Sequence, residues 1–165
     1  MRKIMFALAM VFTAIATYAQ NWAPVGDNIR SEWAEKQNIK PLYAFGHGLS
    51  YTTFQYGEVT CRKSGKGYKV SVDVTNVGDC EGKEVVQMYI GDDECTLARP
   101  VKELKGFKKV PVKPGQTVKV TFDITQDMLK FYDPAQKDWD LEKGSFTAYV
   151  GAASDDIRSS VSFVL

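Results

Sequence analysis

The stretch YKVSVDVT at residues 68–75 decides the fold class, because apolar and polar side chains alternate along nearly all of it. A period of two predicts a β-strand with one buried face and one face in solvent. The next residues, 76–79 (NVGD), are typical of a turn. The same period continues on both sides of this stretch, which indicates an all-β chain.

Six further segments have strand patterns. Residues 54–61 precede the deciding stretch, and residues 84–91, 104–110, 118–122, 146–150 and 160–165 follow it. A single helical turn is predicted at residues 125–129, between the fifth and sixth strands. Seven short strands with turns about every ten residues predict a seven-stranded fibronectin type III or immunoglobulin-like Greek-key sandwich, and an open barrel is the alternative.

The first 19 residues have the pattern of a secretory signal peptide. Arg2 and Lys3 precede the uncharged apolar run 4–16, and Thr17 and Ala19 place small residues before the predicted cleavage site. The apolar run is too short for a membrane-spanning helix. The sequence therefore predicts an exported protein, periplasmic or extracellular, with no membrane contact after cleavage.

Residues 20–44 are predicted to form an N-terminal linker that contains a short helix at 28–36. Ile29 and Trp33 are four residues apart, so they share one face of that helix. A helix with so small an apolar stripe either docks on the sandwich or stays loose. The sandwich domain itself is predicted at residues 45–165.

The charge balance argues against one class of partner. The chain has 21 Lys and Arg residues, 20 Asp and Glu residues and one His, so its formal net charge is +1. A nucleic-acid-binding domain usually carries a strong excess of positive charge. We therefore expect no nucleic-acid partner, whereas the oligomeric state is left open by the sequence.

Three cysteines, Cys61, Cys80 and Cys95, follow the signal peptide. The predicted strand order places Cys61 and Cys95 at one end of the sandwich and Cys80 at the other. An eight-residue strand spans about 26 Å, whereas a disulfide needs Cα atoms about 5–6 Å apart. Cys61–Cys95 is thus the possible disulfide, and three reduced thiols are the alternative. These spacings with a single histidine also argue against a zinc site.

The residues that could carry catalysis do not form a recognisable set. His47 is the only histidine, and Ser50 follows it by three residues without an obvious carboxylate to orient the pair. The acids at 92–94 and 155–156 are neighbours, whereas glycoside hydrolysis needs two carboxyl groups that face each other across the substrate. The sequence predicts no catalytic residue, no cofactor and no metal, with a calcium loop at 92–94 as the alternative to solvated acids.

Two aromatic residues near the turn Asp133–Pro134 could present rings to a ligand. Trp139 is predicted in a loop after this turn, and Tyr132 precedes it. An exposed aromatic ring can stack on the apolar face of a sugar, so both are candidate glycan-binding residues. The alternative is that Trp139 covers one end of the core.

A set of short motifs resembles one known domain family over residues 41–165. The motifs are PLYAFGHGLSYTTF (41–54), VTNVG (74–78), GKEVVQMY (82–89), RPVKELKGF (99–107), KPGQT (113–117), FYD (131–133) and VGAAS (150–154). Together they resemble the C-terminal fibronectin type III-like domain of family 3 glycoside hydrolases, the β-glucosidase and β-xylosidase group. The longest motif, at 41–54, resembles the junction that leads into that domain.

The resemblance implies a module and no catalysis by the chain alone. In that family the nucleophilic Asp lies in a barrel domain and the acid/base Glu in an α/β sandwich domain, and no residue here inherits either role. The implied partners are a glycoside hydrolase catalytic domain or a glycan. Phe45, His47 and Tyr51, together with Trp33, are the candidate docking residues.

Three hypotheses about function follow. The first is a non-catalytic exported accessory module that docks to a hydrolase or a glycan during carbohydrate processing. The second is a fragment of a β-glucosidase-like hydrolase that is active only with its missing catalytic domains. The third is a gene remnant without a present role.

Overall fold

Two antiparallel four-stranded sheets form the fold in the computed structural model, which describes residues 41–97 and 99–165. The first sheet contains β1 (Phe54–Tyr56), β2 (Thr60–Ser64), β3 (Gly67–Asn76) and β6 (Thr117–Ile124). The second contains β4 (Gly82–Asp92), β5 (Glu103–Val112), β9 (Ser145–Ala153) and β10 (Asp156–Val164), in the order β10-β9-β4-β5. The predicted all-β sandwich is confirmed.

A short connection leads from β6 to a separate two-stranded ribbon. It consists of one helical turn, α1 (Gln126–Leu129), followed by β7 (Phe131–Asp133) and β8 (Asp138–Asp140). The predicted helical turn is confirmed, but the ribbon was not predicted. Trp139 lies on β8, so its predicted place in a loop is wrong. Three-residue strands are too short to show a period of two, which is why the pattern did not reveal them.

The predicted first strand, residues 54–61, is divided into β1 and β2 by a bulge. Both pieces pair with β3, with Tyr56 opposite Val74 and Thr60 opposite Ser71. The chain advances four residues from Tyr56 to Thr60 while β3 advances only three from Ser71 to Val74, so one residue between β1 and β2 has no partner on β3. The backbone N–H of Val59 in the bulge donates instead to Ser159 Oγ on β10 (3.0 Å). The bulge therefore links the two sheets at this edge.

The core follows from the alternation in β3. Val70, Val72 and Val74 are buried at every second position. On the neighbouring strand β6 of the same sheet, Val120, Phe122 and Ile124 extend this layer. The facing layer consists of alternate residues of β4 and β9: Val86, Met88, Ile90, Phe146, Ala148 and Val150. Between Gln87 and Gly91, strand β4 is also buried on its other face, where the segment that precedes β1 crosses it. The continuously apolar pattern of residues 84–91 predicted such a central strand.

One polar side chain lies inside this apolar core. Asn76, at the end of β3, has no exposed surface and makes four hydrogen bonds through its side-chain amide. Nδ2 donates to the carbonyl oxygens of Cys80 and Val112, and Oδ1 accepts from Thr52 Oγ1 and the Gly78 N–H. Asn76 thus connects the β3–β4 turn to β5 and to the chain that enters β1.

Cys61, Cys80 and Cys95 are free thiols in the structure, so no Cys61–Cys95 disulfide is formed in it. Within the ranges 41–97 and 99–165, no helix is long and apolar enough to cross a membrane. The predicted signal peptide, the helix at 28–36 and Trp33 lie outside the described residues.

Candidate functional site

The segment that precedes β1 is fixed to the outer face of the second sheet by its backbone. The Ser154 N–H, in the turn between β9 and β10, donates to the Phe45 carbonyl (2.9 Å), and Gln87 Nε2 on β4 donates to the Gly46 carbonyl (3.0 Å). The His47 N–H closes a turn on the Ala44 carbonyl (3.0 Å), and Ala44 is buried. The path of this segment is therefore set by the sandwich beneath it.

Gln87 is the residue on which this attachment depends, and sequence analysis did not identify it. Its side chain is buried, and Nε2 also donates to the Ala152 carbonyl while Oε1 accepts from the Tyr89 hydroxyl (2.5 Å). Both of its Nε2 hydrogen bonds thus reach other chain segments, and the Tyr89 hydroxyl on the same strand occupies Oε1. The available signal was a single amide within the apolar run VVQMYI at 85–90, because a buried amide needs partners.

Gly46 is required where the segment crosses Gln87. Its φ is +79°, a conformation that side chains with a Cβ rarely adopt, and an added Cβ would collide with Gln87 Oε1. Gly48, two residues later, has no atom within 4 Å of the position that its Cβ would take. The two glycines therefore form a matched pair, in which only Gly46 is needed for the attachment.

The side chains of this fixed segment project into solvent. Leu42 and Leu49 are 90% and 93% exposed, and Tyr43, Phe45 and Tyr51 are also exposed. We call residues 42–51 the entry face. Its apolar groups are held in place but uncovered, an arrangement typical of a surface that binds a partner. The structure brings the predicted docking residues Phe45, His47 and Tyr51 together in this face, and the His47 ring lies 5.4 Å from that of Tyr43.

A groove of about 630 Å³ runs between the entry face and the second sheet. Phe45 and Leu49 line one wall, and the exposed Phe107 of β5 lines the other. Glu84 and Arg158 add charged groups at the groove. The entry face therefore continues into the sheet as a mixed surface with an apolar majority.

The charged groups at the groove form a connected cluster. The Tyr56 hydroxyl donates to Glu84 Oε1 (2.7 Å), and the Arg158 guanidinium lies 5.9 Å from the Tyr56 ring centroid. Arg158 is in turn paired with Asp156 (2.5 Å). Burial, together with the Glu84 carboxylate, raises the pKa of Tyr56, so this phenol remains protonated and donates its hydrogen bond into the alkaline range.

Alkaline pH is expected to destabilise the domain through two tyrosines. Burial raises the pKa of Tyr89 to about 12, with a contribution from Asp155, and burial also raises the pKa of Tyr56. Unfolded tyrosines release their protons near pH 10. The two groups thus contribute full stability below about pH 10. The contribution of Tyr89 is lost as the pH rises from about 10 to about 12, and that of Tyr56 falls over the same range and continues to fall above it. Urea unfolding across that range measures how steeply the free energy of unfolding falls with pH. Tyr56→Phe should make this fall less steep, and an unchanged pH dependence would contradict the role assigned to Tyr56.

Two of the three acids at 92–94, Asp92 and Asp93, make contacts within the fold. Asp92 pairs with Arg99 (2.7 Å), and Asp93 Oδ2 accepts from Ser145 Oγ and Thr147 Oγ1 (3.0 Å each). Among the described residues there is no group of ligands that could hold a metal ion. These carboxylates position loops at the end of β4, where they stabilise the fold.

The other predicted pair lies away from the entry face. Tyr132 and Trp139 are direct cross-strand partners on the β7–β8 ribbon. Their ring centroids are 5.9 Å apart, and the ring planes are inclined at 72°. Trp139 is 62% and Tyr132 50% exposed. The sequence left open whether Trp139 presents its ring or covers one end of the core. In the structure the Trp139 ring is mostly exposed, and it forms a corner with the inclined ring of Tyr132.

Comparison with known proteins identifies the domain. The family profile described as "Fibronectin type III-like domain" matches residues 84–154. The β-glucosidase BoGH3A of Bacteroides ovatus is 42% identical over 152 residues, which cover 84% of this chain and 20% of that protein. The chain belongs to the fibronectin type III-like domains of family 3 glycoside hydrolases. The resemblance seen in the sequence motifs is thereby confirmed.

A solved structure and a further relative agree with this assignment to the fibronectin type III-like (Fn3-like) domains. The β-glucosidase of Kluyveromyces marxianus in complex with glucose matches with a TM-score of 0.77 and 38% identity, over 82% of this chain and 16% of that one. A periplasmic β-glucosidase of Salmonella typhimurium is 44% identical over 123 residues, which cover 72% of this chain and 16% of that protein. The chain thus spans about a fifth of the length of the curated relatives it matches.

Proposed function

We propose that the Fn3-like domain is a non-catalytic exported module of carbohydrate processing that docks through its entry face on the catalytic domain of a glycoside hydrolase. The observation that carries this proposal is the entry face itself, where exposed apolar side chains stand on a backbone that Gln87 and Ser154 hold in place. A prearranged apolar surface binds with a small loss of conformational entropy. The names of the relatives, β-glucosidases and a β-xylosidase, supply the kind of partner.

The chemistry of the entry face favours a protein as its partner. Tyr43, Phe45 and Tyr51 are large aromatic side chains, which are enriched at the centres of protein interfaces. The groove beside them adds Phe107 and the charged pair Arg158–Asp156, which could form the polar rim of such an interface. An interface built from both regions would bury an apolar centre within a charged border.

Export is the second part of the proposal. It is supported by the signal-peptide pattern of residues 1–19 and by the word "periplasmic" in the name of the Salmonella typhimurium relative. The domain would then meet its partner outside the cytoplasm. Cell fractionation with an antibody against the domain tests this step, and a cytoplasmic location would overturn it.

The alternative is a piece of a β-glucosidase that works only with its catalytic domains. The observation in its favour is coverage, since the chain spans 16–24% of the curated relatives. An assay for hydrolysis of an aryl β-glucoside distinguishes the accessory module from the β-glucosidase fragment. We expect no hydrolysis by the chain alone, and activity of the chain alone would contradict both readings. Activity that appears only after mixing with the catalytic domains would favour the alternative.

The docking step is tested by replacing Gly46. We expect Gly46→Ala to weaken binding about 30-fold, or about 2 kcal/mol, because the added Cβ displaces the segment from Gln87. The partner is the Bacteroides ovatus β-glucosidase without its own Fn3-like domain, and binding is measured by calorimetry. Gly48→Ala is the matched control and should bind like the parent, since its Cβ meets nothing within 4 Å. Equal binding by the two variants, or no binding by the parent, would refute the proposal.

A further inference from the structure

The β7–β8 ribbon presents a second surface that the proposed docking does not use. Tyr132 and Trp139 project from it as a half-exposed pair inclined at 72°. Beside them lies a groove of about 590 Å³, which is in the size range of sites for small ligands. Pro100 and the buried Phe131 are among the residues that line the groove.

The ribbon is held rigid from within. Asp133 Oδ1 accepts hydrogen bonds from the backbone N–H groups of Ala135 (2.8 Å) and Gln136 (3.4 Å), and these bonds lower the pKa of Asp133. Phe131 is buried under the Arg99 guanidinium, which lies 5.3 Å from its ring centroid. The backbone that carries the two exposed rings is therefore held in place before any ligand arrives, which lowers the entropy cost of binding.

The charges around this groove cancel. Its cations are Arg99, Lys105 and Lys130, and each has a carboxylate partner, at 2.7 Å (Asp92), 2.9 Å (Glu103) and 2.7 Å (Asp127) respectively. An anionic ligand would have to compete with those carboxylates. A neutral ligand that carries hydroxyl groups would not, because each ammonium has three N–H donors. The groove thus suits a neutral molecule with many hydroxyl groups and an apolar face.

We propose that Trp139 and Tyr132 bind a pyranose unit of a neutral polysaccharide in which no axial hydroxyl group interrupts the apolar C–H face. In such a sugar the hydroxyl groups are equatorial, which leaves an apolar C–H face that can lie on the Trp139 ring, while Tyr132 meets its edge. Lys105 and Lys130 donate to the sugar hydroxyls. This inference goes beyond the docking proposal and does not rest on it.

The size and position of the corner distinguish it from a second protein interface. A stable protein interface buries about 800 Å² on each partner, far more than two half-exposed side chains offer. Gln87, which holds the entry face, and Asp92, which pairs with Arg99 at the groove, are five residues apart on β4, or about 17 Å. A docked hydrolase and a bound glycan could therefore occupy the domain together.

Affinity electrophoresis of the purified chain through gels that contain mixed-linkage β-glucan or xylan tests the site. We expect retardation by at least one of these polymers, and a loss of roughly tenfold in affinity for Trp139→Ala, which corresponds to about 1.4 kcal/mol. Trp139→Phe should keep part of the retardation, because a smaller ring still stacks. Tyr51→Ala, which removes an exposed aromatic ring from the entry face, is the matched control and should migrate like the parent.

Three outcomes would overturn the inference. They are free migration of the parent chain on both polymers, unchanged retardation of Trp139→Ala, and stronger retardation by anionic polygalacturonate than by the neutral polymers. Tyr132→Ala provides a second variant, and thermal unfolding of each variant shows whether it is folded. Because no hydrolase is present in the gel, the result is independent of the docking proposal.

Discussion

Replacing Asn76 with aspartate is expected to lower the free energy of unfolding by about 4 kcal/mol. The Asn76 amide donates to the carbonyl oxygens of Cys80 (2.8 Å) and Val112 (2.9 Å) from a position with no exposed surface. Aspartate has the same shape but provides no donor at neutral pH, so two carboxylate–carbonyl contacts become repulsive. Each buried carbonyl left without its donor costs about 1–3 kcal/mol.

Urea unfolding at neutral pH measures this change, and Thr52→Val is its matched control. Thr52 Oγ1 donates to Asn76 Oδ1 (2.6 Å), but the Gly78 N–H donates to the same oxygen (3.0 Å). Its removal should therefore cost only about 1 kcal/mol. If Asn76→Asp costs no more than Thr52→Val, the amide does not hold the β3–β4 turn and β5 together as the structure indicates.

Replacing Arg99 with methionine is expected to cost about 3 kcal/mol of stability. Arg99 is paired with Asp92 (2.7 Å) and Glu103 (3.4 Å), and the side chains of Arg99 and Asp92 are only 11% and 4% exposed. Methionine can fill the space over the Phe131 ring but leaves the Asp92 carboxylate without its counter-charge. Removing one partner of a buried ion pair is costly, because the other charge stays in a poorly solvated place.

An exposed ion pair provides the control for this experiment. Lys69 and Asp123 are 3.4 Å apart with side chains 49% and 72% exposed, so Lys69→Met should change stability by less than about 1 kcal/mol. Unfolding in urea measures both variants. The double variant Arg99→Met/Asp92→Leu should regain part of the loss, because no unpaired charge then remains. A loss in Arg99→Met no larger than in Lys69→Met would contradict the assigned role.

The long strands were predictable because their side chains alternate between the core and solvent. In β3 the valines at 70, 72 and 74 alternate with polar residues, and this period holds wherever one face meets the core and the other meets water. The bulge between β1 and β2 was not predictable, since it depends on a hydrogen bond from Val59 to Ser159, which lies 100 residues later. Local patterns carry no information about partners so distant in the chain.

The candidate sites were predictable only as residue types. A glycine-rich aromatic segment at 41–54 and an aromatic pair at 132 and 139 could be selected from the sequence. That the first is fixed on β4 depends on Gln87, and that the second forms a corner depends on the β7–β8 pairing. The exposure of a side chain likewise depends on which other segments of the chain pack against it. Leu49 and Leu129 are the same residue type, yet the first is exposed and the second is buried.

The sequence by itself determined the fold class, the family and the chemistry that is available, because alternation, turn residues and motifs are local properties of the chain. Only the tertiary structure decided which polar side chains are paired within the fold and which side chains remain exposed to solvent. Asp92 forms an ion pair with Arg99, and Gln87 donates a hydrogen bond to the Gly46 carbonyl, whereas Trp139 and Phe45 remain exposed. The physical reason is that burial and pairing depend on atoms brought together from distant parts of the chain, and it is these contacts that separate a structural residue from a candidate binding residue.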